Sequence, residues 1–525
     1  QGFCRAVLVT FGCPFEPCNS IAQDASQPSN NEVNVCAQCH SLRTPLVDTN
    51  KLHGQEFLDA NRLQLIHTPA YFSDGQIREE VFVMGSFMQS KMYERGVTCS
   101  NCHNPHTGKV LAEDNTLCTQ CHKSTVFDTP KHHHHSQNSA ATLCVNCHMP
   151  ERTYMGVDDR RDHSFTIPKP KLSMDIDVPN ACTQCHTGTT NSWANRKLNE
   201  LSGSSDNQHW SRLSYRANQG DILVTRALVD VIEQDQQSDL VNASLLASLS
   251  SMPSRVSADA AIAKLTSDSP LVRRGAVNAL QSLPAQLRWQ LLSPHLNDSS
   301  RSVRFQLAET LANVYPQLPL EQRTILGSVI DEYRESLALS LDSPATQVSI
   351  ANLEIKLGDM FKAEMALKHA LIIEPNYPSA LLNLADLYRG LGRDGESEPL
   401  LKKVLTVAPD SSAAQHSYGL FLVRSKDYQK ALPYLKKAFE LEDSQSHFAY
   451  VYSVALDNQG ETEQAIQTLV DANERWPNQY DILMTLIQYL EKTNNTLSIY
   501  KYLSNLTRIA PNAPEVKHLL RKYSQ

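Results

Sequence analysis

Five times the chain sets two cysteines three positions apart and follows the second at once with histidine: CAQCH at 36–40, CSNCH at 99–103, CTQCH at 118–122, CVNCH at 144–148 and CTQCH at 182–186. Paired CxxC is the usual spacing of a tetrahedral zinc site, but zinc has no need of a histidine directly after the second thiol. At roughly one histidine in 28 positions, five such coincidences have odds below about one in ten million. A disulfide framework leaves the histidine equally unexplained. Covalent haem uses all three residues: two thiols form thioethers to the vinyl groups, and the adjacent imidazole ligates the iron. The expectation is therefore five haems c. They attach through Cys36, Cys39, Cys99, Cys102, Cys118, Cys121, Cys144, Cys147, Cys182 and Cys185, with proximal ligands His40, His103, His122, His148 and His186.

Each iron needs a sixth ligand or an open site. Up to residue 209 there are nine further histidines: His53, His67, His106, His132, His133, His134, His135, His163 and His209. His209 reads as a solvated or hydrogen-bonded side chain, and the other eight as distal candidates. His106 lies three residues beyond a proximal ligand in CHNPH, where a short turn can aim it at a neighbouring haem. The run DTPKHHHHSQNS holds four consecutive imidazoles. Pro130 disfavours a helix start through Thr129, so an extended run or a loop is expected; an extended run puts His132 and His134 on one face and His133 and His135 on the other. Met149, Met155 and Met174 are available as thioether ligands, but the surplus of imidazoles favours histidine at most or all irons. Such bis-histidine ligation places potentials low.

The elements that must position these ligands are short. Four motifs fit between Cys99 and His186, about 22 residues per haem, too little chain for a conventional side-chain core. The porphyrins must supply much of the apolar interior, with little regular structure and short helices at most. One such helix is expected over SFMQSKMYERG, stopped by Gly96.

From about residue 210 cysteine disappears and Leu, Ala, Ser and Gln recur at helical spacing. LTSDSPLVRRGAVNAL from Leu265 realigns 31 residues on with LNDSSRSVRFQLAETL from Leu296, superposing Leu265/Leu296, Val272/Val303, Arg273/Arg304 and Leu280/Leu311, as in HEAT repeats. Farther on, Pro375, Pro409, Pro477 and Pro511 share a 34-residue grid with Asp443 at the missing node. Gly358, Gly392 and Gly460 share a second grid, and Leu367, Leu401, Leu435, Leu469 and Leu503 a third, with Ala363, Ala431 and Ala465 where helices approach. That period is tetratricopeptide repeat. The expected architecture is mainly α: an irregular segment over 1–32, a five-haem domain with little regular structure over 33–205, HEAT-like repeats over 206–330, and a tetratricopeptide superhelix over 331–525. The last three parts make a compact multihaem head followed by an α-solenoid with a groove for a partner segment.

A net charge of −8 provides no basic field for nucleic acid, and no apolar run approaches the ~18 residues of a membrane helix. The run from DGQIREEVFVMGSFMQSKMYERGVTCSNCHNPHTGKV through CTQCH, KHHHH, CVNCHMPERTYM and RRDHSF to PNACTQCH resembles the bacterial multihaem c-type cytochromes that carry C-terminal tetratricopeptide repeats. The haem part is similar to the tetrahaem cytochromes of ammonia oxidisers and, more distantly, to pentahaem nitrite reductase. Members carry further CxxCH motifs upstream, whereas residues 1–32 hold Cys4, Cys13 and Cys18 without one. The resemblance implies export to the periplasm or cell surface, with any leader outside this sequence. The close spacing of the haem motifs itself points to electron transfer to a redox partner or larger assembly, with the repeats either docking that partner in their groove or serving as a scaffold packed on the haem part. The alternative is a reductase of small nitrogen or sulfur oxyanions at one open haem, with Arg152, Tyr154, Arg160 and Arg161 as proton or anion groups. No catalytic residue is assigned.

Overall fold

The structure, a computed structural model, describes residues 30–48, 50, 55–137, 139–202 and 209–523. The described chain is mostly helical, with two short two-stranded hairpins. It divides into two compact units. The first takes the described part of Gln1–Tyr215 together with Val231–Leu246 and Ser267–Gly275. The second takes Arg216–Asp230, Ala247–Thr266 and the remainder from Ala276.

Ordinary apolar core in the first unit lies in Val231–Leu246 and Ser267–Gly275, where Leu240, Leu245, Leu246 and Leu271 are buried, and toward the two ends of its described earlier part. Val33, Ala37, Phe57, Leu63, Tyr71, Met84 and Phe87 are buried early in the chain, and Leu172, Ile176 and Val178 pack with Phe72 and Tyr215 late in it. Between Cys99 and Met149 no described residue is buried. The segments from the repeat-bearing half are tied in by polar contacts as well. The buried Arg274 guanidinium donates to the Leu63 carbonyl at 2.7 Å, and Ser244 Oγ accepts from the Ile66 amide at 2.9 Å. Gly275 is required by close approach, since a Cβ there would sit 2.4 Å from the Ala243 carbonyl oxygen.

Three local expectations are corrected. The single helix over SFMQSKMYERG is two one-turn helices, Met84–Phe87 and Lys91–Glu94. Ser90 divides them by turning extended and accepting the Tyr93 amide as an N-cap. The glycine stop at Gly96 does adopt a left-handed φ of 79°. Strands are present where helices at most were expected: Arg43–Pro45 pairs with Asn61–Leu63, and Glu151–Tyr154 with Asp158–Arg161. The second hairpin closes because Met155 and Gly156 both take positive φ, 54° and 69°. Finally, the histidine run is helical rather than extended through its first half. Pro130–His133 forms one turn with proline at its start, where the missing amide costs nothing, and His134 leaves it in the left-handed conformation.

In the second unit the expected repeats carry matching contacts. Arg273, whose turn belongs to the first unit, donates Nη1 to the Ser267 and Asp268 carbonyls at 2.8 and 3.0 Å. Thirty-one residues on, in the second unit, Arg304 does the same to Asp298 and Ser299 at 2.7 and 3.3 Å. From Pro344 onward five helical hairpins follow one another, from Pro344–Leu357 with Met360–Ile373 to Tyr480–Lys492 with Thr496–Ile509, before a last helix Pro514–Tyr523. Ala363, Ala431 and Ala465 are fully buried where the helices close, with Leu367, Leu435 and Leu469 beside them. Gly358, Gly392 and Gly460 end first helices at φ 86°, 72° and 84°. The two nodes of that grid that lack glycine, Lys426 and Asn494, still take φ 61° and 56°. The repeat geometry thus overrides the preference of the lysine. Asp443, at the node without proline, accepts the Ser412 amide at 3.2 Å and so fixes its turn by a side-chain bond instead.

Candidate haem-binding site

Each motif is built on about one helical turn. The first lies in helix Asn30–His40, the third overlaps Thr116–Thr119, the fourth is Cys144–His148, and the fifth ends Ala181–Cys185, which Asn180 caps by accepting the Thr183 amide. In the second, third and fifth motifs the histidine amide donates to the carbonyl of the first cysteine at 2.9, 3.0 and 2.9 Å. One closed turn therefore presents both thiols and the imidazole together, as covalent haem attachment needs. All ten motif cysteines are free thiols in the structure.

The motifs are strung in sequence order. Cys36 and Cys99 share a side-chain hydrogen bond, which pushes the Cys36 thiol up and the Cys99 thiol down. Cys118 and Cys144 share another, holding Cys118 down to about 7 and raising Cys144. Cys118 also feels the charge of Cys102, and Cys147 that of Cys182 and Cys185. First meets second, second nears third, third meets fourth, and fourth nears fifth.

Opposite three of the motif histidines the fold places a second imidazole. His132 faces His148 with ring centroids 6.0 Å apart and planes at 15°, His135 faces His186 at 6.1 Å and 29°, and His163 faces His103 at 6.3 Å and 27°. Two imidazoles bound trans to one metal, each with a ~2 Å bond and a centroid roughly 1 Å beyond the nitrogen, stand about 6 Å apart. The tautomers agree. Nδ1 of His163 lies 2.9 Å from the Arg161 carbonyl, Nδ1 of His148 lies 2.9 Å from that of Thr166, and Nδ1 of His135 bonds the His133 carbonyl. A ring that donates from Nδ1 keeps its Nε2 lone pair for a metal. Burial pulls the pKa of His103, His132 and His163 down, which favours the neutral, ligating form. These pairs, and the absence of a buried side chain among the described residues from Cys99 to Met149, fit haem as ligand and as interior.

The other candidates are placed differently. His67 has Nε2 on Gln64 and Nδ1 on the Thr68 carbonyl, so both ring nitrogens are engaged. His106 is exposed, with its backbone amide on Asn104 Oδ1. His133 gives its carbonyl to His135, and His134 supplies the left-handed turn between the two facing rings. His53 lies outside the described residues. His40 lies within electrostatic reach of His103 and His163, and His122 packs edge-on against Phe127 at 5.8 Å. His209 bonds Ser211 Oγ at 2.7 Å, and burial pulls its pKa down to about 3. Met155 is 80% exposed on the hairpin turn.

The groups considered for an open site hold internal partners. Arg152 lies over the Phe72 ring at 4.8 Å, Tyr154 Oη donates to the Ile77 carbonyl at 3.2 Å, Arg160 pairs with Glu80 and Asp158, and Arg161 with Glu151 and the Met149 carbonyl. Two polar side chains that sequence reading missed, Glu32 and Asn115, sit between motifs. Only packing reveals them, because the backbone amides that donate to them are 68 and 29 residues away.

Comparison with known proteins agrees with both halves. Residues 332–418 and 422–487 match the tetratricopeptide repeat family, and residues 92–127, which hold the second and third motifs, match the doubled CXXCH motif. The chain thus carries a haem-attachment motif of c type and a protein-docking repeat. Among solved structures it is similar to the MamA protein, at 21% identity over 35% of this chain and 96% of that one, with a TM-score of 0.28. It is also similar to YrrB, described as a TPR protein with an unusual peptide-binding site, at 18% over 36% and 97%, TM-score 0.29. A third is Pseudomonas aeruginosa pilF, at 16% over 34% and 84%, TM-score 0.32. Among curated proteins no sequence matches it significantly. No helix among the described residues is long and apolar enough to cross a membrane.

Proposed function

We propose that the chain is a multihaem c-type cytochrome that relays electrons through five covalent haems and docks to a redox partner through its tetratricopeptide groove. The observation that carries this reading is the set of three facing imidazole pairs near 6 Å, each on the histidine of a CxxCH motif. When bound, the haem irons supply reversible one-electron chemistry. The chain's own residues attach, ligate and order them: the ten motif cysteines hold the rings, and His40, His103, His122, His148 and His186 ligate from the proximal side. His132, His135 and His163 close three of the sites from the distal side. Six-coordinate irons favour electron transfer over substrate turnover, and motifs that meet in sequence order suit a relay. Haem attachment to CxxCH takes place outside the cytoplasmic membrane, which favours the periplasm or cell surface. The repeat array holds partner segments in proteins of this architecture, and we assign it that role here. Mass spectrometry of the denatured protein tests the count: the expected mass is the polypeptide plus five haems, and a species with fewer would leave at least one motif out of the relay.

A further inference from the structure

We propose that Glu32 and Asn115 are positioning residues that clamp the CxxCH motifs in pairs, first to second and third to fourth. The inference rests on the five-haem reading above and adds what sets the geometry within each pair.

The same construction occurs twice. Glu32 lies four residues before Cys36 on one helix, hence on the same face as that cysteine. Its Oε1 accepts the Ser100 amide at 2.6 Å, and its Oε2 accepts Ser100 Oγ and Thr98 Oγ1 at 2.8 and 2.9 Å. Asn115 lies three residues before Cys118. Its Oδ1 accepts the Cys144 amide at 2.8 Å, while its Nδ2 donates to Asp128 Oδ1 and to the Thr142 carbonyl, both at 2.9 Å. In each case a side chain just ahead of one motif takes an amide at the start of its neighbour. The amides at the start of a helical turn have no acceptor within the turn, so they are free to be used this way. In each case also the first cysteines of the two motifs touch, Cys36 with Cys99 and Cys118 with Cys144. The contact thus joins the points at which two rings are attached. Elsewhere in a protein such spacing is set by packed side chains. Among the described residues from Cys99 to Met149 none is buried, so these polar bonds share the task with the rings themselves.

The test uses the intact five-haem protein. Mass spectrometry is read first, because a count other than five in the unaltered protein overturns the relay reading and not the clamp. Asn115→Ala is then expected to keep five haems while changing the magnetic interaction and the two potentials of the third and fourth irons, leaving the first and second as they were. Glu32→Ala is expected to do the converse. Glu32→Asp and Asn115→Gln keep the acceptor but alter its reach. They are expected to show the same pair-specific shift at smaller size, and they decide the matter where an alanine variant does not fold. Unchanged spectra and potentials in these variants, or equal shifts at all five irons, would overturn the proposal.

Discussion

Replacing His132 and His135 together by alanine is expected to convert the haems of the fourth and fifth motifs from low-spin to high-spin or to a substitute ligand with a shifted potential. The rings stand 6.0 Å from His148 and 6.1 Å from His186, nearly parallel to them. One short run faces two motif histidines because its backbone changes hand within it. The turn Pro130–His133 directs His132 one way, and the left-handed His134, at φ 57°, turns His135 another. The His135 ring is then locked by its Nδ1 bond to the His133 carbonyl, which leaves Nε2 outward. His133 and His134 face no motif histidine in this way, so the variant His133→Ala/His134→Ala should stay low-spin at all five irons. Optical and paramagnetic spectra separate the two variants directly. A double variant at 132 and 135 with an unchanged low-spin spectrum would refute the pairing.

The second large effect concerns folding. Chain produced without haem attachment is expected to lose ordered structure from Cys99 to Met149, while the repeats from Ala276 onward keep a cooperative helical melt. The first stretch holds three complete CxxCH motifs, yet none of its described side chains is buried, so nothing apolar repays its conformational entropy once the rings are gone. The repeats bury Leu367, Leu435, Leu469 and Leu503 against their own neighbours and draw stability from those interfaces. Limited proteolysis should therefore cut first within 99–149 and leave a fragment containing 276–525. The cut matters at the other end too: a fragment starting near 210 keeps Arg274 and Ser244 but loses their partners Leu63 and Ile66, and is expected to melt below one starting at Ala276. Protection of 99–149 in the haem-free chain would show that side chains suffice there.

What could be seen in the sequence follows how local each cause is. The CxxCH motif places its thiols and imidazole within one turn, so the five candidate proximal histidines can be picked out from spacing alone. The tetratricopeptide grid is legible because each repeat meets only its neighbours at a fixed period, and even Lys426 and Asn494 obey it at nodes where glycine is missing. Facing imidazole pairs depend on tertiary contact: His163 meets His103 from 60 residues farther along the chain, and no pattern near either residue announces it. The histidine run invited an extended reading because Pro130 was weighed for its effect on Thr129. Its value as the first residue of a helical turn prevailed. Ser90 carried a readable signal, an N-cap serine inside the expected helix, and its break was legible in principle. Glu32 and Asn115 were not, since an acidic or amide residue ahead of a cysteine has no meaning until its partner amide is known.

The central claim, an electron relay through bis-histidine haems, is tested most directly by a redox titration of the intact protein followed by paramagnetic resonance. The oxidised protein is expected to show low-spin iron at the haems of His103, His148 and His186, and the chain to take up five electrons reversibly at low potentials. High-spin iron at those three sites, or fewer than five reducible irons in a chain of full haem mass, would contradict it.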